Sequence, residues 1–330
     1  MSGLPIIHTS ERSAAKRCAQ FWWWKYRMGL VPKGGGQADA LWFGLGIHEA
    51  LANWYQPGLR RGQHPAKTFR EWAGDEIAYA KTYLDETYDA PVWEDAKDLG
   101  IAMLEAYVEH YGQDHDWNIL ATEREFGVKV VRDGKPIAHF RSRWDGVFRD
   151  EADGQIYLLE HKTASQVATA YLELDEQAGA YWAVAGTVLR SQGILKPGEE
   201  IAGIQYNFLR KARPDDRPVD EAGLKLNKDG SVSKRQPPPL FVRPEPIERS
   251  PRERAVQMRR LADDVAVMNA MRDGTIPVTK TPTRDCPRCP FWDMCLLHER
   301  GGNAWKAMAQ SNYTQQDPYA DDYKSTSGGM

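Results

Sequence analysis

The 330-residue sequence lacks several features that define large classes of proteins. Its best apolar run is only Leu41 to Ile47, well short of the ~20 residues that span a bilayer, so no membrane segment is predicted. The N-terminus lacks a basic segment followed by a long apolar one, which predicts a cytoplasmic protein without a secretory signal. No G-x-x-x-x-G-K-[ST] motif occurs, so the sequence carries no P-loop for an ATP-driven motor of its own.

An excess of one charge is lacking too. The sequence has 43 Lys and Arg against 46 Asp and Glu, a formal net charge of −3. This balance excludes a wholly basic protein that coats nucleic acid, but it leaves room for local basic patches. One such patch is predicted on the helix near the N-terminus, and its basic residues are Arg12, Lys16, Arg17, Lys25, Arg27 and Lys33.

Cysteine is scarce, and three of the four cysteines stand together near the C-terminal end. They form a C-x2-C-x5-C cluster, with one more cysteine far upstream: Cys286, Cys289, Cys295 and Cys18. A reducing compartment argues against disulfides, and three thiols within ten residues are typical of ligands to a soft metal centre. Zinc and an iron–sulfur cluster both accept such ligands, and ordinary buried thiols are the third reading. Any metal bound here would tie the first helix to the far end of the chain.

The hydrophobic pattern predicts an α+β fold, a small mixed β-sheet flanked by helices. Helices are expected over 10–30, with Ser10 as the N-cap, and over 40–56, 66–88, 92–112, 168–191 and 251–271. Strands are expected over 119–131, 137–149, 155–162, 201–209 and 241–247, with a hairpin turn at Asp133-Gly134. The predicted domain spans 1–300, with a helical part at 10–112, a core at 119–210, a mobile insertion at 211–240 and a C-terminal helix with the cysteines at 251–300. Residues 301–330 are predicted to be a disordered tail.

Two carboxylates are predicted to face each other across the second hairpin. A four-residue loop at 151–154 would set Asp145 opposite Glu160, whereas a two-residue loop at Asp153-Gly154 would set Asp145 opposite Lys162. In both registers these three side chains share one face, because side chains alternate along a strand. Opposed carboxylates destabilise a sheet unless a cation lies between them, and Mg²⁺ or Mn²⁺ prefers such oxygen ligands. The alternative is a solvent-facing strand pair with ordinary charges.

The residues around this pair resemble the PD-(D/E)XK nuclease superfamily. Asp145 followed by Glu160-His161-Lys162 is similar to its D…(D/E)-x-K core, although Trp144 stands where proline would be. Gln177 and Tyr181 match the Q-x-x-x-Y motif of its RecB-like branch.

Two further features resemble that branch. Gly44 and His48 resemble its G-x-x-x-H motif, and the cysteine pattern is similar to that of the AddB nuclease domain and the CRISPR-associated RecB-like exonucleases. The resemblance covers nearly the whole chain apart from 211–240 and the tail.

The resemblance implies a restriction-endonuclease-like core and a role for each matching residue. Asp145, Glu160 and Lys162 would be catalytic, and His48, Asp145, Glu160 and His161 (through its carbonyl) would hold one or two Mg²⁺ or Mn²⁺ ions. Gln177 and Tyr181 would contact DNA. Cys18, Cys286, Cys289 and Cys295 would hold a structural 4Fe-4S cluster that joins the two ends of the chain.

The expected function is a metal-dependent exonuclease that hydrolyses single-stranded DNA or DNA ends with 5′→3′ polarity, in recombination, repair or replication. The alternative is a non-catalytic DNA-end-binding or assembly subunit. Expected partners are DNA and a separate helicase, recombinase or CRISPR adaptation protein, and some relatives form rings, which suggests a homo-oligomer. Domains of this type also serve viral recombination, and a viral protein would act in the host cytoplasm.

Overall fold

The computed structural model describes residues 3–33, 40–83 and 88–319. Nine strands and nine α-helices are assigned within these residues. The strands are β1 (Ile6–His8), β2 (Leu30–Pro32), β3 (Trp117–Arg132), β4 (Lys135–Asp150), β5 (Ile156–Ala164), β6 (Ile201–Arg210), β7 (Phe241–Val242), β8 (Ile247–Glu248) and β9 (Tyr313–Gln315). The helices are α1 (Thr9–Arg17), α2 (Ala19–Trp22), α3 (Ala40–Trp54), α4 (Pro65–Tyr83), α5 (Ala90–Tyr111), α6 (Glu176–Ser191), α7 (Pro251–Arg272), α8 (Trp292–Glu299) and α9 (Ala304–Asn312).

A mixed seven-stranded sheet forms the centre of the fold, which confirms the α+β prediction. Its order is β1-β4-β5-β6-β7, with β3 paired to β4 and β8 paired to β6. The β3–β4 and β4–β5 ladders are antiparallel, whereas β5 and β6 run parallel. The turn at Asp133-Gly134 is confirmed, because Arg132 pairs with Lys135 and both turn residues have positive φ, as a two-residue hairpin requires.

The sheet opens into a fork between β4 and β5. Their ladder covers Gly146 to Arg149 of β4 and ends where Gly146 pairs with Leu159. Beyond that point β5 continues along β6, while β4 pairs with β1 at residues 139–141. Residues 142–145 of β4 therefore pair with neither β1 nor β5. The edge of β4 opposite β3 faces the fork at these residues.

Each face of the sheet is covered by helices. One hydrophobic cluster joins α1, α6 and α7 to the sheet, around buried Trp22, Trp144 and Trp182. The opposite face carries α3, α4 and α5 on a second cluster. This packing is tight at Gly46 of α3, where an added Cβ would lie 2.2 Å from Trp72 Cζ3. At Gly44, two residues earlier in the same helix, the nearest atom to such a Cβ is Thr163 Oγ1 at 3.6 Å.

The prediction of one continuous helix over 10–30 is wrong, because the structure breaks it at Cys18. Helix α1 begins at Thr9, so Ser10 is not its N-cap, and it ends at Arg17 because Cys18 is extended, with φ −163° and ψ 112°. A new helix then starts at Ala19 and winds into a π-helix over Trp23–Arg27. The chain also turns toward the C-terminal region here, since Gln20 N–H donates to Thr279 C=O.

Three other boundaries differ from the prediction. The helix predicted over 168–191 begins only at Glu176, because the Asp175 carboxylate accepts the N–H groups of the first turn and caps it. The strand predicted over 241–247 is two short strands, β7 and β8, on the same neighbour β6. The tail predicted to be disordered from 301 contains α9 and β9, because Ala309 and Tyr313 bury against a third hydrophobic cluster and β9 pairs with β2.

The segment 211–240 contains turns and isolated bridges rather than regular elements. Val219 bridges to Lys225, and Leu226 bridges to Val232. Its predicted mobility stays a prediction. In the described part of the chain, no helix is both long and apolar enough to cross a membrane.

Candidate active site at the fork of the sheet

Asp145 and Glu160 lie where β4 and β5 separate. The observed register, extended by one residue past Gly146 and Leu159, sets these two carboxylates opposite each other, which confirms the four-residue loop. The strands have already parted at this point, so Asp145 Oδ2 accepts the backbone N–H of His161 at 2.6 Å. The fork thus gives each carboxylate room to face a common cleft.

Helix α3 brings His48 to the same cleft. His48 Nδ1 lies 3.1 Å from Asp145 Oδ1, which is a hydrogen bond to a partly buried carboxylate. Among the described residues, one set of three metal-binding side chains has ligand atoms within 4.8 Å of one another: His48, Asp145 and Glu123. A nitrogen and two carboxylates suit a divalent metal ion.

Glu123 is the member of this set that sequence reasoning missed. From the turn at 133–134 alone, the hairpin register would pair residue 123 with Trp144. A bulge at Ile137 of β4, opposite Val130 and Val131, shifts the ladder by one residue. The shifted register sets Glu123 opposite Asp145. Glu123 also has a left-handed backbone, with φ +45°, a conformation rare for a non-glycine residue and frequent at functional sites. Nothing in the sequence separates Glu123 from its neighbour Glu125.

A second group of polar side chains covers the other side of the fork. Lys162 Nζ donates to Glu160 Oε1 at 2.6 Å and to Gln177 Oε1 at 3.3 Å. Gln177 Nε2 in turn lies 3.2 Å from Glu160 Oε1 and 3.3 Å from the Tyr181 hydroxyl. Ser142 of β4 shares a hydrogen bond of 2.7 Å with that hydroxyl. The structure therefore brings Glu160, Lys162, Gln177 and Tyr181 into one network, which adjoins the set around His48.

The pKa values of the first group are coupled through Asp145. Burial alone would lower the pKa of His48, but the adjacent Asp145 carboxylate raises it to about 9. Burial would likewise raise the pKa of Asp145, and the charge and hydrogen bond of His48 lower it instead to about 2. Burial and the charge of Asp145 raise the pKa of Glu123 to about 7. Without a metal, the cleft therefore holds a protonated histidine beside an ionised aspartate.

Glu160 and Lys162 perturb each other in the same way. Burial raises the pKa of Glu160 to about 7, although the Lys162 ammonium opposes this shift. Burial opposes the ammonium form of Lys162, yet the nearby Glu160 carboxylate raises the pKa of this lysine above its usual value. Lys162 is therefore a cation whose position is fixed by its acceptors.

The backbone and the side chain of His161 contact different groups. Its N–H contacts Asp145, whereas its ring is buried and lies 2.8 Å from Asn207 Nδ2. Burial lowers the pKa of His161 to about 3, so the ring is neutral. Asn207 Oδ1 accepts from Arg243 Nε at 3.0 Å, which turns the amide nitrogen of Asn207 toward His161 Nδ1. The Nδ1 atom is therefore the acceptor and the proton of the ring lies on Nε2.

Three of the basic residues near the N-terminus contact other side chains of the protein. Arg12 is 2% exposed and its Nη2 lies 2.6 Å from Asp264 Oδ2. Lys16 Nζ lies 2.5 Å from Glu176 Oε2. Arg17 lies over the ring of Phe21, with its guanidinium carbon 4.3 Å from the ring centroid. The predicted basic patch therefore does not include Arg12, because α1 buries this side chain against α7.

All four cysteines are free, partly buried thiols: Cys18, Cys286, Cys289 and Cys295. Burial raises the pKa of Cys295, and the other three thiols raise it further, so all four lie within electrostatic range of one another. Backbone N–H groups point at two of the sulfurs, from Thr283 to Cys286 at 3.2 Å and from Phe291 to Cys289. Among the described residues, the ligand atoms of His48, Glu123 and Asp145 lie within 4.8 Å of one another, whereas no three of the four sulfur atoms form such a set.

No curated protein matches the chain. The family model of the PD-(D/E)XK nuclease superfamily matches residues 9–296, a span that includes every predicted site residue.

Proposed function

Since the chain belongs to the PD-(D/E)XK nuclease superfamily, we propose that it is a metal-dependent DNA exonuclease of the RecB-like branch. The proposed substrate is single-stranded DNA or a DNA end, cut with 5′→3′ polarity. The observation that carries the proposal is the fork, where His48, Glu123 and Asp145 form a metal-binding set beside the Glu160–Lys162 pair.

The donor set at the fork fits a hard divalent cation. His48, Asp145 and Glu123 would hold Mg²⁺ or Mn²⁺, with Glu160 and the carbonyl of His161 as further ligands. When bound, the metal lowers the pKa of a water molecule and polarises the scissile phosphodiester. His48 and Glu123 would have to lose their protons to bind the ion. The positive charge of the ion would then offset the carboxylate charges that these protons offset in the free protein.

Lys162 is the residue proposed to act on the substrate. Its ammonium would orient the attacking water or offset the negative charge that develops on the phosphorus oxygens. Glu160 and Gln177 hold the ammonium from two sides, so little reorganisation is needed when the substrate arrives. Tyr181 and Gln177 would contact the DNA backbone or keep the lysine in place.

The four cysteines are proposed to hold a structural 4Fe-4S cluster. The thiols fit this role because they come from both ends of the chain to one place and because backbone N–H groups already point at two of the sulfurs. Such a cluster would join the break after α1 to the segment that precedes α8 and to α8 itself, which contains Cys295. The test is metal and sulfide analysis of anaerobically purified protein. Iron with acid-labile sulfide would support this assignment, whereas zinc without sulfide would contradict it.

The proposed substrate indicates which partners and processes the protein would serve. Because the sequence has no P-loop, unwinding of a duplex would fall to a separate helicase, and the product strand would suit a recombinase or a CRISPR adaptation protein. Recombination, repair and replication all supply DNA ends of this kind. We propose a cytoplasmic site of action, the host cytoplasm if the protein is viral, and a homo-oligomer as in ring-forming relatives.

The proposal is tested by degradation of single-stranded DNA labelled at one end or the other. Wild type and Lys162→Ala are compared in Mg²⁺ or Mn²⁺, with Lys129→Ala as the control, because Lys129 is an exposed lysine of the same sheet. We expect label-dependent laddering by wild type and by the control, and none by Lys162→Ala. DNA binding without cleavage by cluster-loaded wild type would favour the non-catalytic end-binding subunit instead.

A further inference from the structure

A groove with a volume of about 420 Å³ adjoins the metal-binding set. It runs between α3 and the edge strand β3, and Glu123 belongs both to its lining and to the set with His48 and Asp145. Its volume lies within the range of about 300–1,000 Å³ that is usual for sites of small molecules and cofactors. A ligand in this groove would therefore touch the same residue that faces the metal.

The backbone of β3 explains how the groove forms. In a regular strand, successive side chains point to opposite faces, so four consecutive residues do not line one cavity. Ala121 to Arg124 nevertheless all line this groove. The left-handed φ of Glu123, +45°, interrupts the alternation at this point. Among the residues that the structure describes, β3 pairs with β4 alone, so its other edge is open to the groove apart from the bridge of Ile119 to Gly58.

The charges in the lining leave one cation without an acid. Glu49 Oε1 accepts from Asn53 Nδ2 at 2.9 Å, and Glu123 Oε2 lies 2.6 Å from Arg143 Nε. Both acids thus have a donor already. Arg124 is exposed, and within the described part of the chain its side chain makes no ion pair or hydrogen bond.

The remaining lining is apolar at one end and carries amides at the other. Leu120 and Ile194 are partly buried against the core below, while Asn53 lies on α3 and Gln56 lies just after its end. A guanidinium, an apolar surface and side-chain amides are the groups that bind a phosphate, a base face and the polar edge of a base, respectively.

We propose that this groove is a nucleotide subsite, which holds the deoxynucleoside monophosphate unit next to the bond being cut, with Arg124 on its phosphate. The inference rests on the proposed nuclease function for its ligand, and it adds a binding site and a residue outside the fork. A subsite for one nucleotide beside the metal would also fix where the strand is cut relative to its end.

The test is calorimetric titration of the purified protein with deoxythymidine 5′-monophosphate in Mg²⁺. We expect one site, with affinity about tenfold weaker in Arg124→Ala, because one charge-assisted contact is lost. Lys129→Ala, an exposed change on the same strand, should bind like wild type. Thymidine, which has no phosphate, should bind more weakly and equally to wild type and Arg124→Ala.

Two outcomes would overturn the subsite: no binding by wild type at millimolar nucleotide, or equal affinity in wild type and Arg124→Ala. Neither outcome affects the nuclease proposal if wild type still degrades labelled DNA. Conversely, nucleotide binding that depends on Arg124 in a protein that cuts no DNA would support the subsite and refute the nuclease.

Discussion

Arg243 offers a test of how the fork is held, because it is the centre of a buried network behind β5. Its guanidinium donates to Asp114 Oδ1 at 2.6 Å and Oδ2 at 2.9 Å, and to Asn207 Oδ1 at 3.0 Å. It also donates to the hydroxyls of Tyr55 at 2.9 Å and Tyr107 at 2.6 Å. The Arg243 and Asp114 side chains are only 12% and 10% exposed, so this is a buried ion pair.

Arg243→Met removes the cation and leaves the Asp114 carboxylate buried with the hydroxyl of Tyr55 as its remaining side-chain donor. Removing one partner of a buried pair costs about 3–5 kcal/mol of unfolding free energy, because the other charge stays out of water without its counterion. We expect a loss of this size in urea unfolding followed by circular dichroism. Asp114→Asn in the same protein should recover part of the loss, since no charge is then left behind.

Arg213→Met is the matched control. Its ion pair with Asp95 has nearly the same distance, 2.5 Å, but the two side chains are 49% and 75% exposed. Water already solvates both charges there, so we expect a change of only about 0–1 kcal/mol. Equal losses for Arg243→Met and Arg213→Met would refute the reasoning from burial. A double variant no more stable than Arg243→Met would refute the role of the unpaired carboxylate.

Three further predictions concern the fork and the helix beside it. Glu123→Gln should weaken Mn²⁺ binding at least severalfold in calorimetry, whereas Glu125→Gln, an exposed neighbour, should not; equal affinities would exclude Glu123 as a ligand. Folding raises the pKa of Glu123 to about 7 and the pKa of His48 to about 9. In metal-free protein, the contribution of Glu123 to the free energy of unfolding should therefore be lost as pH rises from about 4.5 to 7. The contribution of His48 should be lost as pH rises from about 6.5 to 9. Because both groups must release a proton to solvent when the metal binds, Mn²⁺ affinity should rise between pH 6 and 8, and a flat profile would contradict this. Gly46→Ala should destabilise by about 1–3 kcal/mol through overpacking, while Gly44→Ala should be neutral or slightly stabilising in urea unfolding.

Local sequence determined the elements on which the site is built. Alternating side chains and the Asp133-Gly134 turn predicted the β3–β4 hairpin, because both signals act between residues close in the chain. The same alternation placed Asp145, Glu160 and Lys162 on neighbouring strands. The short motifs also named His48, Gln177 and Tyr181, and the structure brings all of these residues to the fork.

Tertiary structure decided what happens between elements. A bulge at Ile137 of β4 and the left-handed backbone of Glu123 brought Glu123 to His48 and Asp145, and neither irregularity has a sequence signal of its own. The break at Cys18 interrupts a segment with a good helical pattern, and Arg12 is basic in sequence yet buried against an acid of α7. These features depend on contacts between residues far apart in the chain, whose energies outweigh local preference once the core has formed.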